Sequence, residues 1–232
     1  MAHYLIIAAS SCIGQAVVKK LSDAGHTVFT TARNTTKITP DAILNATCFA
    51  DVEEAFKQAG NIDGVVNCCG SLWLRPAHLT KQEEYQGVID ASLTTAFAVV
   101  RAAGKYMTTG GSVVLISSAA AIVGLPNHEA IAAAKAGIHG LMVSAAATYA
   151  PVQLRFNVVA PGLIDTPLTA SITQNETVRK SSAMMHPLGR IGEADDIANA
   201  IVFLLDSKNS WITGQVLAVD GGLSSVRAKV KI

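Results

Sequence analysis

A single lysine, Lys135, lies in the alanine-rich segment HEAIAAAKAGIHGL (128–141), which is otherwise typical of a buried helix. On a helix the residue four positions earlier shares the same face, and here it is Ile131, which can neither donate nor accept a proton. A charge on such a face needs either a ligand or a route to solvent, by snorkelling along the helix edge. From the residues alone both interpretations stay open.

A second candidate site follows the first predicted strand, where AASSCIG (8–14) leads into a helix. Backbone N–H groups at a helix N-terminus bind pyrophosphate without a charged side chain. This makes four residues of the turn candidate cofactor ligands: Ser10, Ser11, Ile13 and Gly14. Such loops favour glycine, but Ala8 and Cys12 occupy the other two places. An ordinary tight turn between strand and helix is the alternative interpretation.

Arg33 ends the next predicted strand, in TTARN (30–34). An acidic residue at this point would bind a ribose 2′-hydroxyl, whereas an arginine can pair with a 2′-phosphate. The sequence therefore favours NADP(H) over NAD(H) as the cofactor, with a solvated loop arginine as the alternative.

Short apolar runs alternate with helical segments along the whole chain. The predicted strands are 4–9, 27–32, 46–50, 63–67, 112–117, 154–159 and 215–219. The predicted helices cover 13–25, 52–60, 80–107, a stretch from 129 onward, and 193–207. This alternation predicts an α/β fold, a doubly wound parallel sheet of the Rossmann type with about seven strands, in a single domain over 1–232. The ligand should lie beyond the carboxyl ends of the strands.

Composition excludes several classes of partner. Only 15% of the residues are charged and the net charge is +1, so nothing indicates nucleic acid or an anionic membrane. The first apolar run, of about six residues, is shorter than a signal or membrane segment, and no later segment is predicted to cross a bilayer. The four cysteines show no metal spacing, so we expect reduced thiols, no bound metal and a cytoplasmic location.

Six further motifs occur in order: ADV (50–52), NCCG (67–70), VVLISSAAA (113–121), Lys135, RFNVVAPGLIDTP (155–167) and ITGQVLAVDGG (212–222). Together they resemble the short-chain dehydrogenase/reductases, specifically the 3-oxoacyl carrier-protein reductase-like branch, over essentially the whole chain. The resemblance implies an NADP(H)-binding oxidoreductase. It also implies further cofactor-binding residues: Asp51, Val52, Asn67, Cys69, Gly70, Lys135, Pro161, Gly162, Ile164 and Thr166.

The catalytic set departs from the family pattern. The family's Asn, Ser, Tyr and Lys correspond here to Ser92, Ser118, Ile131 and Lys135. In the family the lysine bonds the nicotinamide ribose and lowers the pKa of the tyrosine, and with isoleucine only the ribose contact remains. The resemblance implies Ser118 and Lys135 as catalytic residues that lack a positioned general acid, a group worth about 10²–10⁴-fold in rate.

His128 is a candidate replacement for the missing acid. It lies seven residues before Lys135, the spacing at which the related enoyl carrier-protein reductases place their tyrosine. Histidine can carry a proton near neutral pH, although a surface histidine in the loop before the helix is the simpler interpretation.

Three functions remain open from the sequence. The first is an NADP(H)-dependent oxidoreductase with altered acid chemistry, which uses water, the substrate or His128 as its proton source and acts on an unidentified carbonyl, alcohol or enoyl group. The second is a catalytically silent NADP(H)-binding subunit or sensor. A non-redox lyase or isomerase is less favoured, because the cofactor lysine is retained.

Residues 166–190 are predicted to form a substrate lid. This segment is moderately apolar and has no cluster of basic residues, so the partner is a small-molecule substrate of unidentified structure. The helix that contains Lys135 has small residues on several faces, and the family builds its dimer interface from this helix. We therefore expect a homo-oligomer, a tetramer or a dimer.

Overall fold

The computed structural model describes residues 1–227. Seven strands occur in this part of the chain: β1 (His3–Ile7), β2 (Thr27–Ala32), β3 (Ala42–Ile43), β4 (Gly64–Asn67), β5 (Gly111–Ile116), β6 (Leu154–Pro161) and β7 (Val216–Val219). The α-helices of the same residues are α1 (Cys12–Asp23), α2 (Phe49–Ala59), α3 (Gln82–Ile89), α4 (Thr95–Tyr106), α5 (Glu129–Tyr149), α6 (Ala170–Thr173), α7 (Glu176–Met185) and α8 (Ala194–Leu205).

All seven strands pair in parallel in the order β3-β2-β1-β4-β5-β6-β7. Side chains alternate between the two faces, as the pleat requires. In β1, Leu5 and Ile7 pack beneath α2, α4 and α5, whereas Tyr4 and Ile6 pack beneath α1 and α8. The sheet is therefore buried on both sides, and the predicted doubly wound, Rossmann-type fold is confirmed.

The third predicted strand, 46–50, is wrong. Asn45 accepts hydrogen bonds at Oδ1 from the N–H of Thr47 (3.2 Å) and from its hydroxyl (2.8 Å), which makes an Asx turn. Helix α2 begins soon afterwards, at Phe49, so no strand can form there. The strand β3 lies earlier, at Ala42–Ile43, and residues 44–47 form the loop after its carboxyl end.

The predicted helix over 80–107 is one continuous helical run, Gln82–Tyr106, that contains a π-helical turn at Asp90–Thr94. Within this turn the Thr95 hydroxyl lies 3.1 Å from the carbonyl oxygen of Ser92 and 3.3 Å from that of Ala91, both of which can accept its hydrogen. This turn faces α5 closely, because a Cβ on Gly137 would lie 3.0 Å from Leu93 Cδ2. The wide turn thus occurs where the two helices approach each other.

Two helical runs, Gln82–Tyr106 and Glu129–Val152, are long and apolar enough to cross a membrane by length and composition. In the most apolar 18-residue stretch of each run, 50% of the first stretch and 44% of the second are buried inside the domain. Core helices of folded domains pass the same test, and both runs pack against the sheet. The expected absence of a membrane partner stays a prediction.

The turn between β1 and α1 carries backbone strain. Ala8 has φ 60°, in the left-handed region, where a Cβ costs about 1–2 kcal/mol. Gly14 closes the same turn from the other side, because a Cβ there would lie 2.8 Å from both the Ala8 carbonyl oxygen and the Ala9 Cα. The glycine at 14 is required by space, and the alanine at 8 is tolerated at a cost.

We expect Ala8→Gly to stabilise the protein by about 0.5–1 kcal/mol, since the relief of left-handed strain exceeds the entropy that glycine adds to the unfolded chain. Urea denaturation of both proteins measures the difference. The control is Ala9→Gly: Ala9 is buried and has no positive φ, so this change should destabilise by about 1 kcal/mol. Destabilisation by Ala8→Gly would contradict the assignment of strain.

Candidate functional site

A cleft of about 880 Å³ opens at the carboxyl ends of β1 to β6. Fourteen residues singled out from the sequence line it: Ser10, Ser11, Ile13, Arg33, Cys69, Gly70, Ser118, His128, Ile131, Lys135, Pro161, Gly162, Ile164 and Thr166. Within residues 1–227, no group of three or more His, Cys, Asp or Glu side chains could hold a metal ion. The strand ends therefore gather most of the candidate residues around one cavity.

Gly14 and Asn67 do not line the cleft but shape its wall. Gly14 leaves the space that the β1–α1 turn needs, as described above. Asn67, at the end of β4, accepts at Oδ1 from the N–H of Cys69 (3.2 Å) and donates from Nδ2 to the Thr95 hydroxyl (3.2 Å). It thereby fixes the backbone that carries Cys69 into the cleft.

Asp51 and Val52 also lie outside the wall, because β3 ends at Ile43, seven residues before the end of the predicted strand. Both residues belong to α2, and Val52 is fully buried in the core. The Asp51 carboxylate accepts from the N–H of Asn45 at 3.1 Å, so it supports the loop that does line the cleft, 44–47. The Asx pattern of Asn45 and Thr47 is the sequence signal that could have placed this loop.

Lys37 also lines the cleft, although the sequence analysis did not single it out. It follows Arg33 in the loop after β2, and both exposed side chains line the same end of the cleft. Two cations therefore face the space beyond β2, where the sequence analysis singled out one.

The N-terminus of α1 forms one end of the floor of the cleft. The Ser11 hydroxyl caps the helix by accepting from the N–H of Gly14 at 3.0 Å. The preceding residues turn through the strained Ala8, and residues 10–13 at the start of the helix line the cavity. Such a terminus binds anions through backbone N–H groups and the helix dipole.

Lys135 is buried, with 4% of its surface exposed, yet it lines the cleft. Its ammonium donates to the carbonyl oxygen of Ile116, at the end of β5, at 2.8 Å. That is its one hydrogen bond within the described part of the chain, although an ammonium has three donors. Burial lowers the pKa of Lys135 from 10.5 to about 8, so the amine is charged at neutral pH and has two donors left for a ligand.

Two thiols, Cys68 and Cys69, lie beside the amine. Burial raises the pKa of Cys69 to about 11, although nearby Lys135 opposes the shift, and burial raises the pKa of Cys68 as well. Both groups are therefore neutral thiols at neutral pH and cannot neutralise the ammonium. A Cβ on Gly70 would lie 3.4 Å from Lys135 Nζ, so this glycine leaves room beside the amine.

Ser118 and Ser117 have different environments. The Ser118 hydroxyl lines the cleft and accepts from the N–H of Ala120 at 3.2 Å, which leaves its own hydrogen available to a ligand. The buried Ser117 hydroxyl lies 3.1 Å from the Lys135 carbonyl and 2.7 Å from His139 Nε2, and it braces β5 against α5. Ser118 is thus the serine that can reach a substrate.

Ile131 belongs to a small apolar cluster between α3 and α5. It is 4% exposed and packs with Val88 and Ala134, with Trp73 and Ile89 at the edge. Ser92, in the π-helical turn, is 1% exposed and its hydroxyl has no hydrogen-bond partner in the described structure. Neither of these two positions supplies a proton donor to the cleft.

The two histidines that line the cleft differ in what their nitrogens contact. His128 caps the N-terminus of α5, and its Nδ1 donates to the Pro126 carbonyl at 2.7 Å, which leaves Nε2 available. His186 is buried, with Nδ1 at 2.7 Å from the Ser182 carbonyl and Nε2 accepting from the Leu163 N–H at 3.2 Å. His186 therefore fastens α7 to the loop after β6, and His128 is the histidine that can exchange a proton.

The pKa of Lys135 makes stability depend on pH. Up to about pH 8 the folded protein holds a buried charge, and between about pH 8 and pH 10.5 it releases a proton that the unfolded chain keeps. Stability from this group therefore rises across that window. We expect the stability advantage of Lys135→Met over wild type to fall by about 2–4 kcal/mol between pH 7 and pH 10.5.

Urea denaturation of the two proteins at several pH values tests this expectation. The thiols are common to both proteins, so the difference isolates the lysine. A difference that stays constant with pH would show that the ammonium is not desolvated.

Comparison with known proteins indicates the family to which the chain belongs. The family described as Enoyl-(Acyl carrier protein) reductase matches residues 7–224. A 3-oxoacyl-[acyl-carrier-protein] reductase FabG of Thermotoga maritima is 33% identical, and the alignment covers 94% of this chain and 96% of that protein.

Two solved structures are similar over nearly all of this chain. A short-chain type dehydrogenase/reductase from Mycobacterium ulcerans has a TM-score of 0.92 at 31% identity, covering 98% of this chain and 91% of that one. ElxO with NADP bound has a TM-score of 0.89 at 28% identity, covering 97% of this chain and all of that one. With the parallel sheet, the cleft at its carboxyl edge and the buried lysine, these matches show that the chain belongs to the short-chain dehydrogenase/reductase family of oxidoreductases.

Proposed function

We propose that the protein is an NADP(H)-dependent oxidoreductase that acts on a carbonyl, alcohol or enoyl group with a non-standard proton donor. The observation that carries this proposal is Lys135, a buried ammonium with two unshared donors in the cleft that Arg33 and the N-terminus of α1 also line. Keeping this charge out of water is unfavourable unless a ligand supplies oxygen atoms.

The residues present fit a dinucleotide along the edge of the sheet. The α1 N-terminus with Ser10, Ser11 and Ile13 would hold the pyrophosphate, and Lys135 would donate to ribose hydroxyls. The segment 161–166, at the carboxyl end of β6, would hold the nicotinamide carboxamide through its backbone and the Thr166 hydroxyl. When bound, the nicotinamide supplies or accepts the hydride.

NADP(H) rather than NAD(H) is proposed from the charges that follow β2. Arg33 and Lys37 line this end of the cleft, and no carboxylate occurs between them in the sequence. A guanidinium can pair with a 2′-phosphate through two hydrogen bonds. The similar ElxO structure contains NADP, which supports the same choice.

For the chemical step we propose two roles. The Ser118 hydroxyl donates a hydrogen bond to the reacting oxygen, and His128, whose Nδ1 is held by the Pro126 carbonyl, supplies or accepts the proton through Nε2. Lys135 orients the ribose and adds positive charge beside the developing alkoxide. The family's tyrosine would do the proton transfer better, so we expect slow turnover.

A catalytically silent NADP(H)-binding subunit or sensor is the second candidate. Two positions favour it. Ile131 stands where the family has its catalytic tyrosine and packs in an apolar cluster. Ser92 stands where the family has its catalytic asparagine, and its hydroxyl has no hydrogen-bond partner in the described structure. A non-redox lyase or isomerase has no comparable support, since the cofactor lysine, Arg33 and the Pro-Gly segment after β6 all line the cleft.

The wider setting is proposed from sequence and structure together. We propose that residues 166–190 close over a small-molecule substrate, since Leu168, Ile172 and Met185 line the cleft.

We also propose that the protein is cytoplasmic and forms a homo-oligomer, a tetramer or a dimer. The oligomer is proposed because Phe97 on α4 and Val143 on α5 are exposed apolar side chains. Light scattering at micromolar concentration should give two or four chains, and a monomer would remove this part of the proposal.

The cofactor proposal predicts a selective effect of Arg33→Ala. We expect NADPH binding to weaken by about 10-fold or more, corresponding to the loss of one charged hydrogen-bonded pair, while NADH binding changes little. Titration of cofactor fluorescence measures both affinities. Equal losses for the two cofactors would show that Arg33 does not contact the 2′-phosphate.

The catalytic proposal predicts a gain of function. Ile131→Tyr, alone or with Ser92→Asn, should raise the reduction of small ketones or 3-oxoacyl model substrates by about 10²-fold or more, because a phenol then stands next to Lys135. NADPH consumption at 340 nm measures the rate (on the order of 10² s⁻¹ or below for ordinary enzymes). Ile131→Phe is the matched control, since it adds the ring without the hydroxyl.

Three outcomes separate the candidates. Ordinary turnover by wild type would contradict the expectation of slow chemistry, and loss of that turnover in His128→Ala would then identify His128 as the donor. NADPH binding without turnover in either wild type or Ile131→Tyr would favour the silent subunit. Failure to bind NADPH at all would overturn both candidates.

A further inference from the structure

The cleft continues beyond Lys135 and Ser118 into a compartment that the proposed cofactor contacts do not use. Its wall comes from the loops after β4 and β5, from α3 and α5, and from the segment after β6. Seven of its side chains are apolar: Leu72, Leu125, Pro126, Ile131, Leu168, Ile172 and Met185. We call these residues, together with Gly87, Asp90 and Ala91 of the helical run Gln82–Tyr106, the substrate compartment.

Charges are distributed unevenly along the cleft. Arg33 and Lys37 follow β2, at the opposite edge of the sheet order from β5 and β6, and Lys135 lies between the two ends. Among residues 1–227, Asp90 is the one carboxylate that lines the cleft. The substrate compartment therefore has an anionic side chain on an otherwise largely apolar wall.

The hydrogen bonds of Asp90 leave it able to bind a ligand. Oδ1 accepts from Gln86 Nε2 at 2.9 Å and from the Thr94 hydroxyl at 3.1 Å, both neutral groups on the same helical run. Oδ2 has no hydrogen-bond partner, and the carboxylate no ion-pair partner, within the part of the chain that the structure describes. Neutral donors fix the direction of the carboxylate without neutralising its charge.

Space is available in front of the carboxylate. Gly87 precedes Asp90 by three residues and shares its helix face, and a Cβ on Gly87 would meet no atom within 4 Å. Ala91, four residues after Gly87, also lines the cleft and has a single methyl group. A ligand group can therefore reach Asp90 past these two small residues.

We infer that Asp90 is a specificity-determining residue that selects substrates with a hydrogen-bond donor, an ammonium or a hydroxyl, on an apolar body away from the reacting oxygen. This inference rests on the proposed function for the position of the reacting oxygen. Substrates with a carboxylate at that distal position are disfavoured, because like charges repel and the partly buried Asp90 is screened less than a fully exposed carboxylate.

Three ring ketones that differ only at the position opposite the carbonyl test the inference. 4-Aminocyclohexanone is cationic, 4-methylcyclohexanone is neutral, and 4-oxocyclohexanecarboxylate is anionic at neutral pH. Their affinities are measured by calorimetry with protein saturated with NADP⁺, which cannot reduce a ketone. We expect the amine to bind best and the carboxylate worst, with at least a 10-fold difference between them.

Asp90→Asn should reduce that difference to about threefold or less, because the amide keeps the shape and an acceptor oxygen but loses the charge. Glu83→Gln is the matched control: it removes one carboxylate from the same helix at an exposed position outside the cleft wall, and the order of affinities should not change. An unchanged difference in Asp90→Asn, or no binding of any ketone at millimolar concentration, overturns the inference.

Failure of this inference is distinguishable from failure of the proposed function. Binding of NADPH is measured separately, without any ketone. The three ketones are also titrated into the cofactor-free protein, where the same order of affinities is expected because Asp90 is in place without the cofactor. Cofactor binding with equal affinities for the ketones would contradict the role of Asp90 and leave the proposed function intact.

Discussion

An ammonium removed from water is stable only where oxygen atoms replace its hydration. Lys135 has one such oxygen in the described structure, the Ile116 carbonyl, and burial lowers its pKa to about 8. Its position depends on the hydrogen bond that the Ser117 hydroxyl, just after β5, donates to the Lys135 carbonyl, and on Gly70, which leaves space beside the amine. The rest of the cleft is arranged around this buried charge.

The distribution of charge divides the cleft into regions with different ligands. The α1 N-terminus, Arg33 and Lys37 form an end suited to phosphates, whereas Asp90 stands on the apolar wall at the other end. The lysine between them is too deeply buried to neutralise a distal substrate group. One cavity can therefore hold an anionic cofactor and still disfavour an anionic substrate.

The sequence predicts the fold well because short apolar runs alternate with helical segments along the whole chain, which is typical of a parallel sheet covered on both faces. It predicts the cofactor end of the cleft because residues at strand ends meet at one edge of a parallel sheet. The third strand was misplaced, since its two residues carry no period and the Asx turn at Asn45 ends it early. Lys37 and Asp90 were missed because loop and helix positions need the fold before their side chains can be assigned to a wall. The difference between His128 and His186 likewise depends on which ring nitrogens are occupied.

The buried lysine supports cofactor binding more strongly than it supports turnover. A silent subunit and an active enzyme would both need ligand oxygens to stabilise the ammonium. The unfavourable free energy of burying this charge is therefore compatible with both candidates and does not distinguish them. The two differ in the path of the proton. Ile131 closes the position beside Lys135 with an apolar side chain, so the proton must come from another group, and we propose His128 in the loop before α5, whose Nε2 is unoccupied in the described structure. The catalytic state of this family member therefore depends on whether that loop brings His128 to the substrate oxygen when the cleft is filled.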